Sequence, residues 1–345
     1  MTIKIRYDGY SSDLSHPGDR RRVGILTKDS DFEIVSPSAS DYDVTLLSCN
    51  ADFKKYLSTE SSKPILIDLI DGYLALRGKY LQDILRNMIR SASNKSRFSD
   101  FTYTNHLARS LRVSDGCIVP SPEIRDQAIP FSKSVDIILD NHMELQGVKY
   151  DDKSSGILWE GFGSNLKHLK ECSPVLENLL EIYDMNLHVV TEKTFYKYGN
   201  RFIKVETSEF LKKIMPKAYK RVTFHNWSVE NMKSIAQHCK FAIIPIDQND
   251  VFAGSKCENK LLAMWSLGLP TYTSETLAYE RVLKSVGLED CLIKRAKWKA
   301  TLEGAITNKV RLNQVRNIGM EYIAQNHQED ILIEKWRSVF RRHLK

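Results

Sequence analysis

The residues able to do chemistry gather where short apolar runs give way to glycine, lysine and carboxylates. The sharpest such segment is Gly254–Ser274, GSKCENKLLAMWSLGLPTYTS. Its spacing predicts a helix starting near Ser255. Leu261, Leu262 and Trp265 supply the apolar stripe, Gly268 stops the helix and Pro270 forbids its continuation. A helix start offers unbonded amides and the positive end of the dipole, which suits an anion such as a diphosphate. Lys256, Asn259 and Lys260 fall in the first turn and a half. Cations there oppose the dipole unless an anion is bound; an ordinary solvated lysine pair is the plain alternative.

Two further segments have the same form, a strand running into a polar loop. Trp159-Glu160-Gly161-Phe162-Gly163-Ser164-Asn165 is a strand end followed by a Gly-x-Gly-Ser loop. Glycines there let backbone amides approach a phosphate, or simply make a tight turn. Thr223-Phe224-His225-Asn226-Trp227-Ser228 ends in a capping serine. Its Trp227 ring can stack on a nucleobase or fill core space.

In the first half, His16-Pro17-Gly18-Asp19-Arg20-Arg21-Arg22 follows the first strand. Arg20 and Arg21 can grip a phosphate or an acidic acceptor, or form a solvated basic loop. Asp68 and Asp71 follow the third strand, where a carboxylate can orient an acceptor hydroxyl. Asp71 is the first candidate for that catalytic role and His16 the second, with His106 a weaker acceptor contact. Between Arg77 and Arg97 lie Lys79, Arg86, Arg90 and Lys95, with Asp83 the only acid. Arg86 and Arg90 share a helix face, and a basic amphipathic helix can rest on anionic lipid or be an ordinary solvated face.

These segments need elements to hold them. Ile3–Tyr7, Val44–Ser48, Pro64–Leu69, Gly116–Pro120 and Val135–Leu139 read as short strands, interleaved with amphipathic stretches such as Tyr80–Arg90. Beyond a polar break at Tyr150–Ser155 the pattern restarts with Gly156–Trp159, Leu187–Val190, Arg221–Phe224, Phe241–Pro245 and Thr271–Thr273, with helices Val229–His238 and Lys256–Leu267 between them. Alternation of this kind implies an α/β fold of parallel sheets wrapped by helices. A length of 345 residues suits two domains: 1–150, 151–327, and a basic amphipathic helix over 328–345.

Composition narrows the class. Hydrophobic residues make up 42% and charged residues 27%, as in ordinary globular chains. A net charge of +7 fits an anionic ligand or membrane surface but is too mild for a nucleic-acid binder without a recognised module. No apolar run is long enough for a membrane span, and the alternating N-terminus reads as a strand rather than a leader. The scattered cysteines, without a Cys-x-x-Cys pair, read as reduced and structural in a cytoplasmic protein.

The string from Lys256 to Pro270, with Asn259-Lys260-Leu261-Leu262, Met264 and Gly268-Leu269-Pro270, resembles the donor-binding motif of retaining glycosyltransferases of GT-B fold and family-four (group 1) type. The order of elements in the second half resembles that family too. The resemblance implies two Rossmann-like domains facing a central cleft, with the last helix able to cross back to the first domain. It implies a nucleotide-diphosphate sugar (UDP- or GDP-linked) as co-substrate, no separate cofactor or metal, and a glycan or lipid-linked acceptor of polysaccharide synthesis. Donor contacts would be Gly161, Gly163, Ser164, Asn165, Trp227, Ser255, Lys256, Glu258, Asn259 and Lys260. Acceptor contacts would be Arg20, Arg21, Asp68 and His106, with peripheral contact at the inner membrane face through 77–97. The family's pair of glutamates, eight apart, falls here on Ser255 and Ala263; Asp250 and Glu258 keep that offset in another register. The alternative is therefore a GT-B-like binding or assembly protein without turnover.

Overall fold

The computed structural model describes residues 2–58, 61–77, 81, 83–85, 87, 88, 100, 102–140, 142–146, 154–196 and 203–344. The chain divides into two compact units. Unit 1 comprises Met1–Asn141, Ser255–Cys257 and His327–Lys345; unit 2 comprises His142–Gly254 and Glu258–Asn326.

Unit 1 is built on strands β1 (Ile3–Asp8), β2 (Phe32–Val35), β3 (Val44–Ser48), β4 (Ile65–Asp68), β5 (Gly116–Val119) and β6 (Val135–Ile137). They form one parallel sheet in the order β2-β1-β3-β4-β5-β6. Every residue of β3, β4 and β5 is buried, as expected where helices cover both faces of a parallel sheet. The order reverses between β1 and β3, the kind of position at whose carboxyl ends open α/β sheets take their ligands. The C-terminal helix Glu329–His343 belongs to this unit. Its Phe340 meets Phe32 at 5.8 Å, Arg337 pairs with Asp29 and Asp31 at 3.1 and 2.9 Å, and Arg342 reaches Asp136 at 2.6 Å.

Unit 2 holds β7 (Gly156–Glu160), β8 (Asn186–Thr191), β9 (Thr194–Tyr196), β10 (Lys204–Glu206), β11 (Val222–Asn226), β12 (Cys239–Ile244), β13 (Thr271–Ser274) and β14 (Leu292–Ile293). β9 and β10 make a separate antiparallel pair. The main sheet is parallel, ordered β11-β8-β7-β12-β13-β14. Its reversal lies between β7 and β12. The helix Asn259–Ser266 links β12 to β13 and is backed by the long helix Lys309–Asn326. Gly319 permits that close approach, since a Cβ there would sit 2.7 Å from the Trp265 ring.

Both units are therefore Rossmann-like, as the alternating pattern implies. The domain join expected near 150–151 falls at residues outside those described. Of the basic 77–97 segment, Lys79, Arg86, Arg90, Lys95 and Arg97 also lie outside them. All six cysteines are buried thiols. No helix among the described residues is long and apolar enough to cross a membrane.

Buried imidazoles give the fold an acid limit. His327 is fully buried, and burial followed by the Lys335 charge pulls it down to about 4. Burial and the stacked His225 ring likewise bring His188 to about 4. Such groups are neutral when folded, while the unfolded chain takes up their protons near pH 6.5, so stability is complete above that value and falls toward pH 4. For His327 the loss is on the order of 2–3 kcal/mol. His327→Gln should flatten the fall in Tm between pH 6.5 and 4; an unchanged slope would assign the acid limit elsewhere.

Candidate functional site

The loop leaving β1 is organised by one carboxylate. Asp19, wholly buried, accepts hydrogen bonds from Tyr7 Oη at 2.7 Å and from Tyr10 N, Ser11 N and Ser11 Oγ at 2.9 Å each. This fixes the start of the helix Pro17–Arg22 and the residue before it, His16, whose ring stacks on Tyr10 at 4.7 Å. The Gly18 amide donates to His16 Nδ1 at 3.1 Å, which leaves Nε2 to carry the proton of a neutral ring. Burial first, with the Arg21 and Arg20 charges, holds that imidazole below its ordinary value, while Asp19 and Asp71 act the other way. At neutral pH His16 therefore presents a hydrogen-bond donor rather than a proton acceptor.

The three adjacent arginines part company. Arg20 is half-buried. Arg21 binds Asp140 at 2.6 Å; burial works against its charge, but the Asp140 carboxylate holds the guanidinium above its ordinary value. Arg22 is buried and forms a two-point clamp with Asp68, at 2.7 and 3.0 Å, while donating to Leu139 O at 3.2 Å. Burial pushes the Asp68 carboxyl up despite this partner. At 1% exposure Asp68 is a pillar of the fold rather than an acceptor contact, because β4 ends with its side chain turned onto Arg22. His106 is also interior. Its Nδ1 meets Asp100 at 2.8 Å and its ring stacks on Phe53, and neither partner belongs to the β1 loop.

Asp71 lies three residues beyond Asp68 and is partly exposed. Within unit 1 it faces the short segment Ser255–Cys257. Lys256 Nζ stands 3.9 Å from Asp71 Oδ1, and Ser255 Oγ donates to Gly72 O at 3.2 Å. Gly72 must be glycine for this contact, since a Cβ there would fall 2.3 Å from Ser255 Oγ. The structure thus brings together His16, Asp71, Ser255 and Lys256, with Arg20 and Arg21 on the adjoining helix.

In unit 2 the helix expected to begin near Ser255 begins at Asn259. Val251–Gly254 forms a helical turn of its own, and Cys257 and Glu258 are drawn into burial, which breaks the helical path between them. Glu258 occupies the N-cap position but makes no side-chain bond to the helix amides; its carboxylate instead binds Arg281 at 2.8 Å. Glu258 is 1% exposed, so its carboxylate is interior rather than turned to a ligand.

Lys260 points across the reversal between β12 and β7. Its Nζ donates to Glu160 O at 2.8 Å, approaches Glu160 Oε2 at 3.6 Å and lies 5.7 Å over the Trp159 ring. Gly161 makes room, because a Cβ there would be 2.3 Å from that nitrogen. Gly163 serves Phe195 in the same way, at 2.5 Å. The residues after it form a 3-10 helix, Gly163–Glu171, rather than an α-helix, with Ser164 exposed and Asn165 half-buried. Sequence reading missed the tie between the two loops: Lys167 pairs with Asp250 at 2.5 Å and the Asp247 amide donates to His168 Nδ1 at 3.1 Å. No local pattern announces partners more than 75 residues apart. Trp227 lies two strands away from β7, half-buried against the core, 6.1 Å from the His142 ring.

Gly161→Ala should leave the fold intact, since the position needs no left-handed backbone, yet push Lys260 off Glu160 O. Should a nucleoside diphosphate occupy this loop, its affinity should fall about tenfold, roughly the loss of one charged hydrogen bond, read by calorimetric titration; an unchanged affinity would remove Lys260 from the site.

No family model and no curated relative matches this sequence. Solved structures do match in fold. TarM superposes with a TM-score of 0.60 at 10% identity, over 86% of this chain and 54% of that one. The pneumococcal O-GlcNAc transferase GtfA, solved with UDP and GlcNAc, gives 0.58 at 12%, over 88% and 57%. WaaG, a glycosyltransferase involved in lipopolysaccharide biosynthesis, gives 0.58 at 10%, over 99% of both chains. The fold is GT-B. The chain spans just over half the length of TarM and GtfA and nearly all of WaaG.

Proposed function

We propose that this protein is a glycosyltransferase that moves a sugar from a nucleoside-diphosphate donor to a glycan or lipid-linked acceptor, with retention of configuration. The observation that carries the reading is the start of the helix Asn259–Ser266. It follows β12 at the reversal of the unit 2 sheet and has Lys260 beside it on the Gly161 loop. Ligands of open α/β sheets bind at such reversals, and helix amides with lysines suit a diphosphate. The donor would be a UDP- or GDP-sugar, held by Gly161, Gly163, Ser164, Asn165, Asn259 and Lys260 and by Trp227 at the base; Ser255 and Lys256 enter this reading through their place in the sequence just before that helix. Asp71 would orient the acceptor hydroxyl, His16 would donate to a ligand oxygen, and Arg20 and Arg21 would face the acceptor. The same reading places the protein in the cytoplasm, with 77–97 touching the anionic inner face of a membrane. Exposed Leu81, Leu85 and Met88 in that stretch support it.

A second reading, a GT-B protein that binds without turnover, is favoured by Ser255 and Ala263 at the positions of the family's acids. Ser255 is committed to Gly72 O and Ala263 is buried. A melting-temperature screen with nucleoside diphosphates tests the core claim, because a ligand of the folded state stabilises it by RT ln(1 + [L]/Kd). UDP or GDP at about 100 times Kd should add about 2.7 kcal/mol, and Lys256→Ala should shrink the gain. No response to any nucleoside diphosphate would sink both readings; a response without sugar transfer or donor hydrolysis would leave the second.

A further inference from the structure

A cavity of about 290 Å³ lies in unit 1, apart from the donor and acceptor contacts assigned above, lined by Leu74, Arg77, Thr104, Ala108, Arg109, Arg112 and Phe131 among others. The helix Tyr103–Val113 provides one wall. Asn105, Arg109 and Arg112 recur on it at helical spacing and are exposed, and Ala108 between them leaves the space open. The floor is Leu74 and the Phe131 ring.

The charge of this cavity is unbalanced. The Arg77 and Arg112 guanidinium carbons each lie 5.2 Å from the centre of the same Phe131 ring. Neither has a carboxylate partner among the described residues. A third guanidinium, Arg109, contacts Asp100 at 2.7 Å. Asp100 is the one acid in the lining and is already engaged, since its side chain is fully buried between Arg109 and His106. Two like charges held on one ring repel each other, and the face of a π system offsets only part of that. What satisfies both is an anion with several acceptor oxygens, which guanidinium forks grip in pairs. The volume sits at the lower edge of small-molecule pockets, roughly 300–1,000 Å³, which suits a phosphate or small phosphomonoester and not a nucleotide sugar.

We propose that Arg77, Arg112 and Arg109 form a binding pocket for a phosphate-class dianion, either free or as the phosphomonoester of a small molecule. This is a second anion site and does not depend on the transferase reading.

The test compares melting temperature and calorimetric affinity for inorganic phosphate and for glycerol 3-phosphate against sodium chloride at matched ionic strength. Phosphate should raise Tm more than chloride does, and the double variant Arg77→Gln/Arg112→Gln should lose at least tenfold in affinity. Arg77→Lys, which keeps the charge but not the fork, should lose less. Tighter binding of glycerol 3-phosphate than of phosphate would assign the pocket to phosphomonoesters, and equal binding to free phosphate. Lys256→Ala should leave the response in place. If the response vanishes in Lys256→Ala and survives in the double variant, the anion occupies the nucleotide site and the proposal fails. It also fails if phosphate does no more than chloride. Far-UV circular dichroism in chloride checks that the double variant is folded; if it is not, the Arg77→Lys comparison decides, and equal affinity there overturns the pocket.

Discussion

Asp68→Ala is expected to cost about 3–5 kcal/mol of stability, the usual result of stranding one member of a buried ion pair. The partner left behind is Arg22, 1% exposed. Its guanidinium joins four pieces of unit 1: its own helix, the end of β4 through Asp68, the chain after β6 through Ile138 O and Leu139 O, and the C-terminal helix through Trp336, whose ring centre is 5.1 Å away. Without Asp68 that charge keeps its carbonyls and the Asp140 carboxylate, which is already bound to Arg21, and has no route to water. Since whole domains are stable by only about 5–15 kcal/mol, unit 1 should melt far earlier in urea. The paired change Arg22→Met with Asp68→Leu should recover most of the loss, because it removes both desolvated charges and keeps the volume. A single Asp68→Ala change costing under 1 kcal/mol would mean water reaches the pair.

How much of this was legible depends on whether the signal is local. β3, β4 and β5 were readable because a strand buried on both faces is a continuous apolar run. β2 was missed: it is a short edge strand in which only Phe32 is buried. β9 and β10, with three residues each and at most one of them buried, were missed for the same reason. The helix near Ser255 began later than expected because Cys257 and Glu258 answer to tertiary burial rather than to helix propensity. The triple arginine was read as one basic loop. On a helix successive side chains diverge by about 100°, so Arg20, Arg21 and Arg22 meet different surroundings. Nothing local says which of them will be buried. Asp68 and Asp71 separate likewise, one at the strand end facing inward and one in the loop beyond it.

Lys256→Ala is expected to lower turnover about 100-fold, the scale at which loss of one preorganised charge or donor at a developing anion reduces rate. In sugar transfer from a nucleoside diphosphate the leaving group gains charge as the glycosidic bond breaks. A lysine beside it should therefore matter more in the transition state than in the ground state, and kcat should fall more than KM for the donor rises. Without ligand, Lys256 has Asp71 at 3.9 Å, and both side chains are about a quarter exposed (29% and 26%), so this contact is weak enough to exchange for a diphosphate. Asp71→Asn separates the two roles. If Asp71 only holds the lysine, the variant should bind UDP or GDP at least as tightly and turn over normally. If Asp71 orients the acceptor hydroxyl, nucleotide binding should persist while transfer drops, and donor hydrolysis by water should drop less than transfer. Lys256→Arg should keep the charge near the leaving oxygens and retain part of the rate. Turnover in Lys256→Ala within twofold of the parent would place the departing diphosphate elsewhere and return the lysine to the status of a surface ion pair.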